Sequence, residues 1–170
     1  METKTNQNQT VKTTNPLLEA RAEVISKFSD TTFRIEWINT VKGVDFINDA
    51  KSSNVLMSLE ALEQCNCNLI WIASDEFLSA DFGLIKDVIK EKVKAILYIS
   101  KISNPELEQN CKGLVNNVIR LGSIDEAVVA SLSFTNEGDC VLYSPAAPGY
   151  TQLDTYQNRG EKFNASVQLL

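Results

Sequence analysis

Leu69-Ile70-Trp71-Ile72-Ala73 is an unbroken apolar run of strand length, and Ala95-Ile96-Leu97-Tyr98-Ile99 is a second. Between them, Leu84 to Lys92 has the spacing of an amphipathic helix. A strand exposed on one side alternates apolar and polar residues, whereas a continuous apolar run must be covered on both faces. That is the habit of parallel strands flanked by helices. This strand–helix–strand unit therefore predicts an α/β domain: a three-layer α/β/α, Rossmann-like arrangement around a mostly parallel sheet.

The flanking sequence extends the pattern in both directions. Towards the carboxyl end, Val115 to Leu121 and Cys140 to Tyr143 read as strands, and Ser123 is placed to cap a helix through Ile124, Ala127, Val128 and Leu132. A last helix is expected from about Leu153, with Tyr156, Phe163 and Val167 on one side. Towards the amino end, Val55, Leu59 and Leu62 mark a helix. Before it, Thr32 to Val41 and Val44 to Ile47 are strand-like and Lys42-Gly43 supplies a turn, which predicts an antiparallel hairpin at the sheet edge. Asn15-Pro16 starts a further helix carrying Leu18, Ala22, Ile25 and Phe28. Residues 1–15 are mostly Thr, Asn, Gln and Lys and are expected to form a flexible tail, leaving one domain over 16–170.

Composition narrows the chemistry. The 170 residues include no histidine, which removes the commonest general base at neutral pH, Ser-His and Cys-His nucleophile pairs, and imidazole metal sites. The seven glycines nowhere form a dinucleotide-binding or Walker A loop. Sixteen Lys and Arg against twenty-two Asp and Glu give a net charge of −6, which argues against a nucleic-acid partner. No apolar run approaches the length of a membrane span, and the polar start carries no apolar stretch suited to a signal peptide. A cytoplasmic location is the resulting expectation, with Cys65, Cys67, Cys111 and Cys140 as thiols and no metal site.

In a parallel sheet, ligands collect beyond the carboxyl ends of the strands, so the informative loops follow Ile47, Ala73, Ile99 and Tyr143. The first is Asn48-Asp49-Ala50-Lys51-Ser52-Ser53-Asn54, leading into a helix whose amino end can face an anion, with Lys51 adding a charge. Taken singly, these Asp, Asn and Ser residues are also ordinary caps and turn formers.

In order along the chain, five segments are more specific. They are Phe33-Arg34-Ile35-Glu36-Trp37, Val44 through Asn54, Ser79-Ala80-Asp81-Phe82, Val141-Leu142-Tyr143-Ser144-Pro145-Ala146, and Asn158-Arg159-Gly160-Glu161-Lys162-Phe163. Together they resemble the carboxy-terminal domain of the Mur ligases, most nearly the D-glutamate-adding branch, over residue 17 to the end. The resemblance implies an α/β domain that receives the incoming amino acid and closes over ATP. It implies ATP and Mg²⁺ as cofactors only when the domain is paired with a Mur-ligase central ATPase domain, and none bound by this chain alone.

By resemblance, Arg34 matches an arginine that reaches ATP phosphate, Asp49 an acid near the ribose, and Lys51 a basic residue at the closed site. Ser53 matches a hydroxyl beside the amino acid, Ser144 belongs to a pocket motif, and Tyr156 matches an aromatic lining the amino-acid pocket. Tyr156 equally fits the buried side of its own helix. Three positions depart from the family pattern. Phe33 stands where the family has His before Arg34; Leu78 falls where a lysine grips the D-glutamate side-chain carboxylate; Gly149 falls where a serine holds the same substrate. An apolar side chain cannot make a charge-assisted contact.

The resulting expectation is a stand-alone homologue of the ligase C-terminal domain, binding a protein or small ligand and not catalytic alone. The alternative is the terminal part of a split or truncated D-glutamate ligase. A third reading, recruitment through the polar tail or acidic surface, ranks last because charge runs are usually solvated faces.

Overall fold

The computed structural model of the protein describes residues 32–75, 82–148 and 154–170. The expected tail, the helix expected from Pro16, and positions Leu78 and Gly149 lie outside the described residues.

The chain runs β1 (Glu36–Val41), β2 (Val44–Asn48), α1 (Val55–Gln64), β3 (Leu69–Ser74), α2 (Phe82–Lys92), β4 (Val93–Ile99), α3 (Pro105–Cys111) and β5 (Asn117–Leu121). It continues with α4 (Ile124–Ser131), a 3₁₀ turn at Leu132–Phe134, β6 (Cys140–Tyr143) and α5 (Tyr156–Gln168). The strands form one six-stranded sheet in the order β1-β2-β6-β3-β4-β5. β1 pairs antiparallel with β2, and every other neighbouring pair is parallel. The α/β reading and the edge hairpin are thus both present. Lys42 and Gly43 make the hairpin turn with φ of 51° and 77°, the left-handed pair that matches strand twist.

Alternation along the apolar runs divides the core in two. Leu69, Trp71, Ala73, Ile96, Tyr98 and Leu142 point to the face covered by α1, α2 and α3. Ile70, Ile72, Ala95, Leu97, Val141 and Tyr143 point to the face covered by α4 and α5. Each Ile or Leu fully buried on either face stabilises the fold by about 2 kcal/mol relative to exposure. Four helices start on the side-chain caps that their sequence offers. Asn54 accepts from the Met57 N–H, Asn104 from Leu107, Ser123 from Glu126 and Thr155 from Asn158.

Four local expectations are corrected. Helix α3 adds an element to those expected above: Asn104-Pro105 repeats the cap-then-proline signal of Asn15-Pro16, and the Asn104 side chain accepts from Leu107 N–H. The first strand begins at Glu36 rather than Thr32, because Phe33 and Ile35 adopt φ of 61° and 51°, which no strand accommodates. Strand β5 begins two residues later than expected, at Asn117, and α5 begins at Tyr156 behind the Thr155 cap rather than near Leu153.

The cysteines are corrected as well: they are not four thiols. Cys67 and Cys140 form a disulfide across a sequence separation of 73. The turn after α1 lies against the start of β6, where Cys140 N–H donates to Asn68 O at 2.9 Å. Spacing along the chain cannot reveal that proximity. Cys65 and Cys111 remain buried thiols, each pushed up to about 12 by burial.

Candidate functional site

The carboxyl ends of β2, β6 and β3 meet at one edge of the sheet, and the residues that follow them are tied together by backbone bonds. Asp49 N–H donates to Tyr143 O at 2.7 Å, Ser144 N–H to Ile72 O at 3.0 Å and Ser74 N–H to Pro145 O at 3.0 Å. This edge is polar inside. Asp49, Ser52, Ser58 and Ser144 are all buried completely.

The four side chains form one network. Ser144 Oγ donates to Asp49 Oδ2 at 2.7 Å. A hydroxyl has a single proton, so Ser144 must accept from the other two serines, which lie 2.8 Å (Ser52) and 2.6 Å (Ser58) away. Ser52 Oγ in turn accepts from the Ala146 N–H at 3.2 Å, and the indole of Trp71 donates to Ser144 O at 2.8 Å. Buried polar groups are costly unless partnered, and here each hydroxyl has partners.

The other oxygen of Asp49 faces Arg34. Its Oδ1 accepts from Arg34 Nη1 and from the Ile35 N–H at 3.3 Å. Arg34 Nη2 reaches the opposite way, to Glu60 and, at 3.4 Å, to Met57 O in the first turn of α1. Burial pushes the Asp49 carboxyl up to about 6, against the lowering effect of the Arg34 charge and the hydrogen bonds from Ser144, Arg34 and Ile35.

The backbone around Arg34 is held out of its ordinary range. Phe33 and Ile35 flank it in the left-handed region, a conformation that costs a β-branched residue on the order of 1–3 kcal/mol. The corner is pinned from the Asp49 loop, where Lys51 N–H donates to Phe33 O at 3.0 Å. It is also pinned from α5: a Cβ built on Gly160 would lie 2.4 Å from the Phe33 ring, so only glycine allows this approach. Asn48 fastens the same helix, donating to Gly160 O at 2.9 Å and to Asn164 Oδ1 at 2.6 Å.

The structure gathers some of the sequence-derived positions and separates others. Arg34, Asp49 and Ser144 form a single connected unit. Lys51 and Tyr156 form a second, with Lys51 Nζ 5.3 Å from the ring centroid and Phe33 edge-on to the same ring at 6.4 Å. Phe33, in the place where the family has His, is therefore a packing residue here. Ser53 is exposed at the start of α1, its hydroxyl 3.5 Å from Met57 Sδ, and Tyr156 is half-buried. Ser52, Ser58, Glu60 and Asn48 were not singled out from sequence. Ser58 left a signal, being the polar member of the buried stripe Val55, Ser58, Ala61, Leu62. Glu60 left none. Among the described residues, no group of three or more His, Cys, Asp or Glu could hold a metal ion.

No protein-family model matches the chain. Curated relatives do. The chain is 32% identical over 161 residues to the UDP-N-acetylmuramoylalanine–D-glutamate ligase of Bacillus subtilis, covering 94% of this chain and 35% of that enzyme. It is likewise 32% identical over 149 residues to the ligase of the same name in Porphyromonas gingivalis, covering 88% of this chain and 33% of that enzyme. The chain is homologous to the Mur ligases. It corresponds to the C-terminal region and spans about a third of the length of the curated relatives it matches.

Solved Mur ligase structures share its fold. A murein peptide ligase from Psychrobacter arcticus superposes with a TM-score of 0.56 at 10% identity, over 81% of this chain and 30% of that one. A domain from a Haemophilus ducreyi protein described as a putative UDP-N-acetylmuramate:L-alanyl-γ-D-glutamyl-meso-diaminopimelate ligase gives 0.50 at 10% identity, over 79% of this chain and 99% of the other. Within this fold Arg34, Asp49 and Ser144 lie together at one sheet edge. No described helix of this Mur ligase relative is long and apolar enough to cross a membrane.

Proposed function

We propose that this Mur-ligase-related domain is a ligand-binding homologue of the acceptor-amino-acid domain and that the 170-residue chain does not form an amide bond by itself. The observation that carries this reading is the state of Arg34. Its guanidinium lies between two carboxylates, Asp49 and Glu60, so the pair surrounding it carries more negative than positive charge. A nucleotide phosphate approaching that edge meets a guanidinium that is already occupied, with Lys51 as the other nearby cation of the loop. In this arrangement the residues do not fit ATP·Mg²⁺. By resemblance, Leu78 and Gly149 also replace two D-glutamate contacts, so the acceptor-side ligand is expected to differ from D-glutamate.

The test is direct. The purified chain incubated with ATP, Mg²⁺, D-glutamate and UDP-N-acetylmuramoyl-L-alanine is expected to release no phosphate and form no amide product; turnover would overturn the proposal.

A second reading is supported by the survival of Arg34, Asp49 and Lys51 at one sheet edge. In it the domain completes a D-glutamate ligase whose ATPase domain is supplied by another polypeptide or segment, with ATP and Mg²⁺ bound there. Adding the chain to a ligase truncated before its own C-terminal domain separates the two: restored amide formation favours the second reading, and continued inactivity favours the first. Both readings place the domain in the cytoplasm, where thiol trapping of protein taken directly from cells would report the state of Cys67 and Cys140.

A further inference from the structure

The amino ends of β3, β4 and β5 lie at the opposite end of the sheet from the Arg34–Asp49–Ser144 cluster, and a cleft of about 520 Å³ opens there. Its volume is that of a small-molecule site, although such sites usually form at the other end of a parallel sheet. One wall is cationic. Lys90, Lys92 and Lys94 follow one another at alternate positions from the last turn of α2 into β4, and all three line the cleft. The facing wall is apolar: Leu114, Val115 and Phe134 are half-buried, each packed from behind against one of the two halves of the core.

The three ammonium groups stand in different states. Lys92 Nζ donates to Leu62 O at 3.3 Å, Glu63 O at 2.8 Å and Cys65 O at 3.0 Å, so its three protons are committed and it supplies a fixed charge. Lys94 Nζ donates to Asp139 Oδ2 and keeps two protons for another acceptor. Lys90 is exposed and makes no ion pair among the described residues. Two carboxylates offset them, Asp139 against Lys94 and the exposed Glu91 between Lys90 and Lys92. One positive charge is left over, in a chain whose net charge is −6. That local excess beside an apolar wall matches a monoanion with an apolar body.

The walls are fixed in place by the protein itself. The Lys92 bonds fasten the cationic wall to the end of α1, Leu114 N–H donates to Cys111 O at 3.0 Å, and Asn68 Nδ2 donates to Asp139 Oδ1 at 3.4 Å. A site built in this way loses little conformational freedom when it is filled. We propose that the amino-end cleft binds a small carboxylate with an apolar or aromatic body. Lys90 and Lys94 donate to the carboxylate, Lys92 contributes charge, and Val115 and Phe134 lie against the body. The site is separate from the ligation reading and does not depend on it.

The experiment titrates benzoate into the isotope-labelled full chain and follows the backbone amide resonances. Saturable shifts are expected at Lys92, Lys94, Val115 and Asn117, with Asp49 and Ser144 unmoved. Lys90→Gln should weaken benzoate about threefold, the size of one exposed charge contact, with no change in the midpoint of thermal unfolding. High salt should weaken it as well, and Phe134→Leu should weaken it while leaving the charge in place. Acetate, the same headgroup without the body, should bind more weakly than benzoate. Absence of saturable shifts, shifts confined to the carboxyl edge, or equal affinity in Lys90→Gln and the native chain would each overturn the proposal. Acetate binding as tightly as benzoate would overturn the role of the apolar wall, and phenyl phosphate binding more tightly than benzoate would overturn the match to a monoanion. None of these readouts requires turnover, so they stand apart from the ligation assay.

Discussion

Two buried aspartates at opposite ends of the same strands behave in opposite ways. Asp49, after the carboxyl end of β2, is pushed up to about 6 by burial despite Arg34. Asp139, before the amino end of β6, also suffers burial. Yet hydrogen bonds from Lys94, from the Asn136 N–H at 2.7 Å and from Asn68, with the Lys94 charge, hold it below the usual carboxylate range. The difference lies in what each end is built from. Lys94 caps Asp139 at a half-open edge that also carries the Cys67–Cys140 disulfide and Lys92, whose ammonium donates to the carbonyls of Leu62, Glu63 and Cys65 at the end of α1. Asp49 instead shares its cation with a second carboxylate and spends its other oxygen on a hydroxyl cluster. The amino edge is stitched for stability, and the carboxyl edge retains polar groups that burial alone disfavours.

The largest expected effect probes the stitched end. Reduction of Cys67–Cys140, or Cys140→Ser, should lower unfolding free energy by about 3–4 kcal/mol, the cost of releasing a cross-link over a long loop. Urea denaturation with and without a dithiol measures it. A loss that also moved the Asp49 titration would break the separation of the two edges.

Next, Asp49→Ala should cost about 3 kcal/mol, because Arg34 loses its buried partner and Ser144, which gathers Ser52 and Ser58, loses its acceptor. Asp139→Ala should cost about 1 kcal/mol, since Lys94 can turn to water. Denaturant titration of both variants compares them, and equal losses would remove the contrast.

The sharpest test is pH. Asp49 has a native pKa of about 6, above its unfolded value, so the native state holds the proton more tightly. Its contribution to stability is fully present below the unfolded pKa, near 4, and is lost as pH rises through 6, a change on the order of 3 kcal/mol. Asp139, lowered in the native state, contributes stability above the unfolded pKa and loses it as pH falls through the folded value. Unfolding followed between pH 4 and 7 should show the Asp49 component vanish in Asp49→Asn and persist in Asp139→Asn.

The legible parts of the fold are those governed by near neighbours. The apolar runs at Leu69 and Ala95, the Lys42-Gly43 turn, the Asn54 and Ser123 caps and the stripe on α4 each act within a few residues, and each stands where the sequence places it. Asn104-Pro105 is an equally local signal and starts α3. Ordered motifs also carried the family assignment, because a shared order of segments survives when individual contacts change. Of the site, Asp49, Lys51 and Ser144 are marked by their loops and Arg34 by the resemblance, but their mutual arrangement is not.

By itself, the sequence determined a helix-covered parallel sheet with an edge hairpin, the end of that sheet where ligands collect, and kinship with the Mur ligases. Only the tertiary structure decided that Ser144 bridges Asp49 and Ser58 across 95 and 86 positions of chain, that Cys67 meets Cys140, and that Glu60 covers the outer edge of Arg34. The physical reason is the same in each case. Secondary structure follows from local backbone and side-chain preferences, whereas the charge state and partners of a buried group depend on which distant segments the sheet order brings within a few ångströms of it.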